Sequence, residues 1–452
     1  MQLVSVGQQD QFLYISPEMS YFKQVYKRHT PFAMQSVRVE FDTGFYIDNS
    51  RRSFSLTVKR TGDLLKDATL CMTIPPIYSS DTYRFRWIEN MPKYLLYEYY
   101  LTLGQQEIDH RWGEWMDVWN ELSMTSDQQN AFDTLSGNVP DFINPTSNKP
   151  RVTIKNNRLS YSTYPVSTGP NDPSIPSRNI YIPLDFWFSK NPSLALPLVA
   201  LQYQPIVITI SLRPIEQLYQ VWDRCTSTYV SSAQYNTLNN EHISISTFSK
   251  YGGSGPSTIN VTAYIECNYI FLDNPERTYI AGHSVDYLIE RVTRDDSHTG
   301  ITNVATPTLT LNNPVKELVW MFRRSDAKNY NAWANYAAES VHPKLSPLST
   351  VQMWWNGQSR FDPKQSEYFN LLQPSQFHTS VPRQGIFVYS FALYPEKLQP
   401  SGSFNASIIT RIQLQLTMNP NFMHTEYDLI LYSIQYNVFR VIAGSGAMMF
   451  AM

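Results

Sequence analysis

Residues 104–115 read GQQEIDHRWGEW, and residues 357–368, which lie 253 positions later, read GQSRFDPKQSEY. Aligned without gaps, the two stretches match at several positions, among them Gly104 with Gly357, Gln105 with Gln358, Ile108 with Phe361, Asp109 with Asp362, Glu114 with Glu367, and Trp115 with Tyr368. Each copy predicts a strand, a Gly-Gln turn and a short helix with an aromatic underside.

A second match lies upstream of the first. The segment KDATL at 66–70 resembles KELVW at 316–320, at an offset of 250 residues. Two matches in the same order at similar offsets indicate two copies of one domain. The length of 452 residues agrees with this, because a single hydrophobic core usually stops growing near ~250–300 residues.

Period-two alternation of apolar and polar residues is the dominant local signal, and it is typical of half-buried strands. It recurs along the chain at Val37/Val39/Phe41, Phe54/Leu56/Val58, Ile206/Ile208/Ile210/Leu212, Ile243/Ile245, Leu309/Leu311 and Ile412/Leu414/Leu416. Stretches rich in Gly, Pro, Asn and Ser separate these runs. The pattern predicts all-β sandwich domains.

Helical signals are few and short. Ser16-Pro17-Glu18 predicts a helix start, followed by Phe22, Val25 and Tyr26 on one stripe. A second apolar stripe at helical spacing contains Trp112, Trp115, Met116, Trp119 and Leu122. We interpret this stripe as core packing beneath a sheet; a tryptophan-lined sugar platform is the alternative.

Composition excludes several classes of protein. Charged residues make up 16% of the chain and aromatic residues 14%, so intrinsic disorder is excluded. The formal net charge of −2 disfavours a protein that coats nucleic acid. Residues 1–10 contain no basic residue and no apolar core, which predicts no signal peptide, and the apolar run 194–201 is too short for a membrane span.

The three cysteines, Cys71, Cys225 and Cys267, are too few and too widely spaced for a disulfide framework or a CxxC metal site. They predict a protein that folds in a reducing compartment.

The first copy carries a long insertion. From Leu122 to the apolar Phe186 the interval is 64 residues, whereas from Leu372 to Phe391 it is 19. The extra segment, about 125–180, is dense in Pro, Asn, Ser and Thr. Loops of this length are usually functional or disordered, and we expect this one to be an exposed decoration of the first sandwich.

No motif predicts catalysis, a cofactor or a metal site. The sequence has no phosphate-binding glycine loop, no nucleophile elbow and no HxH or HxxxH spacing. Asp109, His110 and Glu114 form one local polar cluster, which we interpret as a turn and helix start, because the second copy has Pro363 in place of the histidine. We therefore predict that the chain is not an enzyme.

Two glycosylation sequons occur, Asn260-Val261-Thr262 and Asn405-Ala406-Ser407. Asn260 and Asn405 are the candidate modification sites. In a cytosolic protein such sequons are usually coincidental, because the standard acceptor machinery works in the secretory pathway.

Several segments together resemble the double jelly-roll major capsid proteins of nucleocytoplasmic large DNA viruses. They span the chain in family order: GQQD at 7–10, YFKQVYKRHTPFA at 21–33, GEWMDVWNEL at 113–122, YIPLDFWFSKNPSLALPLVALQYQ at 181–204, YIFLD at 269–273, PVKEL at 314–318, VYSFAL at 388–393, QPSGS at 399–403 and YNVFR at 436–440. After Asn405 the family pattern Phe-Ser-Arg-Ile-Asp is absent, and this puts in doubt any salt link made there in relatives.

The resemblance implies two tandem eight-stranded jelly-roll sandwiches with short helices. It divides the chain into an N-terminal arm at 1–24, a first jelly roll at 25–213, a linker at 214–240 and a second jelly roll at 241–452. It further implies pseudo-hexagonal homotrimers that tile an icosahedral shell, assembled in the host cytoplasm. The implied partners are other copies of the chain, minor capsid and penton proteins, and the internal membrane through the N-terminal arm, with no direct contact to nucleic acid.

Two alternatives stay open at the level of sequence. One is a double jelly-roll scaffold that shapes a membrane during assembly and then leaves. The other is a β-sandwich protein that binds or cleaves carbohydrate with Trp112 and Trp115, and burial of these tryptophans would exclude it.

Overall fold

The fold was determined from a computed structural model of the 452-residue chain. It describes residues 7–8, 16–24, 26–80, 82–146, 151–155, 158–339, 345–422 and 424–450. The predicted arm at 1–24 and the matching segment GQQD therefore lie partly outside the described residues.

The first sandwich consists of two four-stranded antiparallel sheets. Its eight strands are β1 (Phe32–Glu40), β2 (Arg52–Thr57), β3 (Leu64–Ile74), β4 (Leu96–Leu103), β5 (Gln106–Trp112), β6 (Arg178–Leu184), β7 (Ile206–Leu212) and β8 (Thr262–Leu272). One sheet has the order β1-β8-β3-β6, and the other has the order β2-β7-β4-β5.

The second sandwich repeats this topology. Its strands are β9 (Val285–Asp295), β10 (Val304–Ala305 and Thr308–Leu309), β11 (Pro314–Arg324), β12 (Leu348–Trp355), β13 (Gln358–Gln365), β14 (Ile386–Ser390), β15 (Ile412–Met418) and β16 (Tyr427–Ile442). The sheet orders are β9-β16-β11-β14 and β10-β15-β12-β13. Both the duplication and the double jelly-roll fold class are confirmed.

The glycines of the two repeats occupy equivalent turns. Gly104 joins β4 to β5 with φ of 60°, and Gly357 joins β12 to β13 with φ of 82°. Glycine adopts this left-handed conformation without the steric cost that other residues incur. Asn356 precedes Gly357 with φ of 48°, so the second turn is an Asn-Gly turn that matches the twist of its hairpin.

Short elements decorate the sandwiches. The α-helices of the described residues are α1 (Met91–Leu95), α2 (Gly113–Ser123), α3 (Ser126–Ser136), α4 (Pro140–Ile143), α5 (Ser232–Asn239), α6 (Asn274–Gly282), α7 (Ala327–Tyr330) and α8 (Gln373–Phe377), with a π-turn at Tyr368–Leu372 before α8. The minor strands are Tyr46–Ile47, Phe85–Trp87, Arg151–Lys155, Arg158–Ser162, Leu196–Pro197, Tyr219–Asp223, Thr228–Val230, Ile259–Asn260, Phe404–Asn405 and Ser445–Met448.

Strand pairing corrects the predicted domain boundary. Strand β8, at 262–272, pairs with both β1 and β3, so it belongs to the first sandwich. The segment 214–240, predicted to be a linker, buries Ile215 and Tyr219 in the first core. The predicted start of the second sandwich at 241 is therefore wrong, because the first sandwich ends only after Leu272.

Ile243 and Ile245 were also predicted to alternate in a strand, and this prediction is wrong. Both side chains are buried in the first core, but residues 241–244 are irregular and Ile245–Thr247 is a 3-10 turn. The two isoleucines alternate with polar residues because both are buried, but no neighbouring strand of the described residues pairs with this segment, so it does not form a strand.

The insertion at 125–180 is not simply an exposed decoration. Helix α3 buries Phe132, and Phe142 of α4 stacks on Trp87 with ring centroids 6.5 Å apart. Tyr164 is buried beside Phe85. The segment therefore packs onto the first sandwich, and removing it would expose part of the first core.

The predicted helix after Ser16 is wrong for the described residues. Residues 16–24 form bends and turns, and their side chains are exposed, so no surface is present against which an apolar stripe could pack. Val25 of that stripe lies outside the described residues.

The C-terminal segment returns to the first sandwich. Strand Ser445–Met448 pairs with the end of β16. The backbone N–H of Tyr203 donates to the carbonyl of Gly444 at 3.1 Å, and that of Gly446 donates to Oε1 of Gln204 at 2.9 Å. The segment 444–446 is thus fixed to the loop before β7.

We expect Tyr164→Phe to destabilise the chain. The Tyr164 hydroxyl accepts from the backbone N–H of Phe85 at 2.9 Å, donates to its carbonyl at 2.6 Å and lies 2.8 Å from Oγ of Ser79. Without it, a buried N–H loses its acceptor, which costs about 1–3 kcal/mol. Urea unfolding measures the loss; an unchanged midpoint would contradict the structural role assigned to the insertion.

Candidate assembly site between the two sandwiches

Helix α2 follows directly from the first repeat motif and lies between the sandwiches. Its first residue, Gly113, contacts backbone so closely that a Cβ atom there would lie 1.9 Å from the carbonyl oxygen of Lys93 and 2.2 Å from that of Leu96. Only glycine fits this approach. It lets the chain turn from β5 into a helix that stays against α1.

The two faces of α2 pack against different sandwiches. Met116 points into the core of the first sandwich. Trp115, Val118 and Leu122 form a separate buried cluster with residues of the second sandwich: Val292, Val319, Met321, Tyr336, Ile386, Val388, Ile430, Tyr432 and Ile434. The predicted packing of this stripe beneath a sheet is confirmed, and the covering sheet belongs to the second sandwich.

Strand β11 shows the consequence for the second sandwich. Leu318 and Trp320 point into its own core, whereas Val319 and Met321 point outward against α2. A sheet that is buried on both faces has near-continuous apolar strands. The sequence PVKELVWMF at 314–322 has this character.

A buried carboxylate, Glu114, reaches across the boundary. It forms an ion pair with Arg323, lies 3.8 Å from the guanidinium of Arg294 and accepts from the hydroxyl of Tyr336 at 3.0 Å. Burial alone would raise the pKa of Glu114, but the guanidinium groups of Arg323 and Arg294 outweigh burial and lower it. The carboxylate stays charged and cross-links the sandwiches.

Asp117, one helical turn later, forms a second link. It accepts from Nζ of Lys93 at 2.9 Å and from the hydroxyl of Tyr94 at 3.1 Å, both in the first sandwich. Arg383 of the second sandwich binds its other side. Burial opposes ionisation, but Arg383 and Lys93 together lower the pKa of Asp117 well below its usual value.

A third link lies near β9. Lys190 of the first sandwich donates to Glu290 at 2.8 Å, and Lys316 of the second sandwich binds the other carboxylate oxygen. Arg111 donates to the carbonyl of Glu290 at 3.0 Å. Despite burial, Lys190 and Lys316 lower the pKa of Glu290 to about 2.

His378 lies at the same boundary. Its two ring nitrogens lie 2.5 Å from Glu317 and 3.0 Å from Glu396, and its ring stands edge-on to Trp119 with centroids 6.0 Å apart. Burial would lower the pKa of His378, but the two carboxylates raise it to about 9. The histidine is therefore an imidazolium at neutral pH.

The polar cluster identified in the sequence serves structure. Asp109 binds Arg111 and the backbone N–H of Trp187 at 2.9 Å. His110 stacks on Trp112 between two glutamates, and Glu114 turns toward the second sandwich. The three side chains have different partners and do not converge on a shared catalytic point.

Sequence reasoning missed most residues of the boundary. A basic pair such as Arg323-Arg324 is usually solvated, yet Arg323 is largely buried against Glu114. The available signal was its position directly after LVWMF at 318–322, a run of β11 that is apolar on both faces.

Within the part of the chain that the structure describes, no group of three or more His, Cys, Asp or Glu side chains could hold a metal ion. In the same residues, no helix has the length and apolarity needed to cross a membrane.

The asparagines of both sequons, Asn260 and Asn405, are exposed. Asn260 pairs with Tyr46 in a short two-stranded sheet. Asn405 accepts from the backbone N–H of Ser407 at 3.1 Å and from its hydroxyl at 2.6 Å. Glycosylation of Asn260 and Asn405 stays a prediction.

Comparison with known proteins agrees with this architecture. Residues 20–273 match the family model for the major capsid protein N-terminus, and residues 276–447 match the model for the large eukaryotic DNA virus major capsid protein. The chain belongs to this family of viral major capsid proteins. The matched ranges meet at 273–276, where strand pairing ends the first sandwich.

Individual relatives support the assignment over the whole length. The chain is 28% identical to the major capsid protein of Phaeocystis pouchetii virus, across 100% of this chain and 99% of the relative. It is 27% identical to the major capsid protein of Paramecium bursaria Chlorella virus 1, across 100% and 98%. These relatives agree with a structural, virion-borne protein and do not favour the carbohydrate alternative, which the burial of Trp115 also opposes.

Solved structures share the double jelly-roll fold. The crystal structure of PBCV-1 VP54 superposes with a TM-score of 0.68 at 25% identity, over 96% of this chain and 100% of that one. The Faustovirus major capsid protein reaches a TM-score of 0.67 at 12% identity, over 96% and 94%, which shows the fold alone.

We expect Asp117→Ala to cost about 3–5 kcal/mol, because it leaves Lys93 buried without a counter-ion and removes one of the two carboxylates that pair with Arg383, the other being Glu121. Asp286→Ala is the matched control, since Asp286 forms a solvent-exposed ion pair with Arg440, and exposed pairs contribute little. Chemical unfolding of both variants provides the comparison. Equal losses would show that the buried link does not stabilise the boundary.

The imidazolium of His378 predicts a loss of stability at alkaline pH. A folded-state pKa of about 9 against the ordinary 6.5 contributes about 3 kcal/mol below pH 6.5, and this is lost as pH rises through about 9. His378→Gln removes the contribution, so the gap in unfolding free energy between the two proteins should close over that range. A pH-independent gap would rule out this role.

Proposed function

We propose that the chain builds homotrimeric capsomers of pseudo-hexagonal outline, which tile the facets of an icosahedral virus shell. The observation that supports this most directly is the duplication. Two sandwiches of the same topology are fixed to each other by α2 and by three buried ionic links. Three such chains supply six similar sandwiches, the number a six-sided tile needs.

A rigid chain suits this role. The links at Glu114, Asp117 and Glu290 each join the two sandwiches, and removing one partner of a buried pair is costly. A tile edge therefore keeps one geometry from capsomer to capsomer. We propose no catalytic role, and the structural partners of Asp109, His110 and Glu114 support this.

The proposal extends to the surroundings of the shell. The described part of the N-terminal arm exposes Tyr21 and Phe22 next to Lys23. Apolar and basic side chains together suit contact with the internal membrane or with minor capsid and penton proteins at the inner side. The free thiols of Cys71, Cys225 and Cys267 support assembly in the reducing host cytoplasm.

Light scattering after size-exclusion chromatography tests the trimer. We expect a species near three times the chain mass of 52.3 kDa, and electron microscopy of that species should show a six-sided outline. A strictly monomeric protein at high concentration would contradict the proposal.

The scaffold alternative makes a different prediction. A scaffold leaves during maturation, whereas a coat protein stays. Mass spectrometry of purified mature particles should identify this chain as the most abundant protein; its absence there would favour the scaffold.

A further inference from the structure

Through the internal repeat, helix α2 of the first sandwich corresponds to a helical segment of the second sandwich whose outward face is exposed. At the offset of 253 residues, the boundary-facing residues of α2 correspond to the helical segment 366–377: Glu114 to Glu367, Trp115 to Tyr368, Val118 to Leu371, Trp119 to Leu372, and Leu122 to Ser375. Met116 corresponds to Phe369, and each of these two residues points into the core of its own sandwich. The two helical segments therefore present equivalent faces outward.

The two faces differ in what covers them. Trp115, Val118 and Leu122 are buried by the sheet of the second sandwich. Leu371 and Leu372 are instead 47% and 45% exposed, and they line a shallow apolar depression with Tyr368 and Val381. The face of 366–377 that corresponds to the buried face of α2 is therefore not covered by a sheet of the described residues.

An equivalent covering sheet is also free. In the second sandwich, the outward face of β9-β16-β11-β14 receives α2. The corresponding sheet of the first sandwich, β1-β8-β3-β6, leaves Arg38 exposed on the same face and Thr69 and Glu266 partly exposed. Both sheets have a register shift at the same place. In the first sandwich Asn268 pairs with Asp67 and Tyr269 with Leu65, so the shift lies between Leu65 and Asp67 of β3. In the second it lies between Val315 and Glu317 of β11, at the offset of 250, and this fixes the correspondence.

This register pairs individual residues of the two sheets. Val319 corresponds to Thr69 at the offset of 250. Val319 pairs with Tyr432, which pairs with Arg294. Thr69 pairs with Glu266, which pairs with Arg38. Arg38 therefore occupies the position of Arg294.

The charges then match across the two faces. Arg294 lies 3.8 Å from Glu114, the residue that corresponds to Glu367. Glu367 is exposed, and no ion pair within the described residues involves it. Arg38 is half-exposed, and among the described residues its guanidinium lies 3.2 Å from the exposed Glu40 and over the ring of Tyr264; an ion pair at the surface is weak. Each residue is available for a partner of opposite charge.

We propose that the helical segment 366–377 of one chain docks on the outward face of β1-β8-β3-β6 of a second copy, with Glu367 bound to Arg38. The contact rests on the proposed capsomer and assigns the surface that closes it. The contact joins two different surfaces of the chain, so it is heterologous, and copies related by a rotation that closes form a ring. Contacts within and between chains then alternate around six sandwiches.

The contact between chains is more polar than the contact within a chain. Thr69 and Glu266 stand where Val319 and Tyr432 lie in the second sandwich. Non-obligate interfaces are more polar than domain cores. The chain can therefore fold with this face in water and associate afterwards.

Charge reversal tests the assignment. Glu367→Arg and Arg38→Glu should each convert the wild-type oligomer to monomer, because like charges then face each other, and the double variant should restore the oligomer. Leu371→Asp with Leu372→Asp should weaken association at least ~100-fold. Leu135→Asp is the matched control, since Leu135 is 44% exposed but lies outside the contact. Circular dichroism confirms that each variant folds.

The outcomes separate this inference from the proposed function. A monomeric wild type overturns both. A wild-type trimer that persists in every single variant overturns the assigned surface and leaves the capsomer standing. Loss in the single variants with recovery in the double variant supports the assignment, whereas loss without recovery overturns the pairing of Glu367 with Arg38.

Discussion

The burial of helix α2 against the outer face of the second sandwich is the contact on which the architecture depends. It turns two similar domains into one body, because the apolar side chains exclude water and Glu114 and Asp117 then hold arginine and lysine groups in a medium that screens charge poorly. A buried ion pair contributes little more to the free energy of unfolding than an apolar contact of the same size, but the removal of one partner is strongly destabilising. The boundary is thus specific as well as strong.

Much of the fold could be predicted from sequence. The Gly-Gln turns identified the repeat, since a left-handed glycine is needed at the same point of each hairpin. Alternation identified most strands, because one face of each is in a core. The resemblance to the capsid family supplied the strand count, which the local pattern does not carry.

The errors have a common physical origin. Strand β8 closes a sheet with β1 from 230 residues away, and nothing in its own sequence records that partner. The boundary was therefore placed too early. Arg323 was missed because a charged residue is read as solvated unless its counter-ion is known, and Glu114 lies more than 200 positions away. The burial of β11 on both faces is indicated by its continuous apolar run LVWMF at 318–322, whereas β3 carries the polar residues Lys66, Asp67 and Thr69.

The return of the C-terminal strand to the loop before β7 has a consequence for synthesis. A ribosome releases Tyr203 and Gln204 long before Gly444 and Gly446 exist. The first sandwich therefore leaves the ribosome before β3 can pair with β8, and its loop lacks its partners until residues 444–446 have been made. A nascent chain with unpaired edges is open to pairing with other chains, so the first sandwich is exposed to non-native pairing until Gly444 and Gly446 have been made.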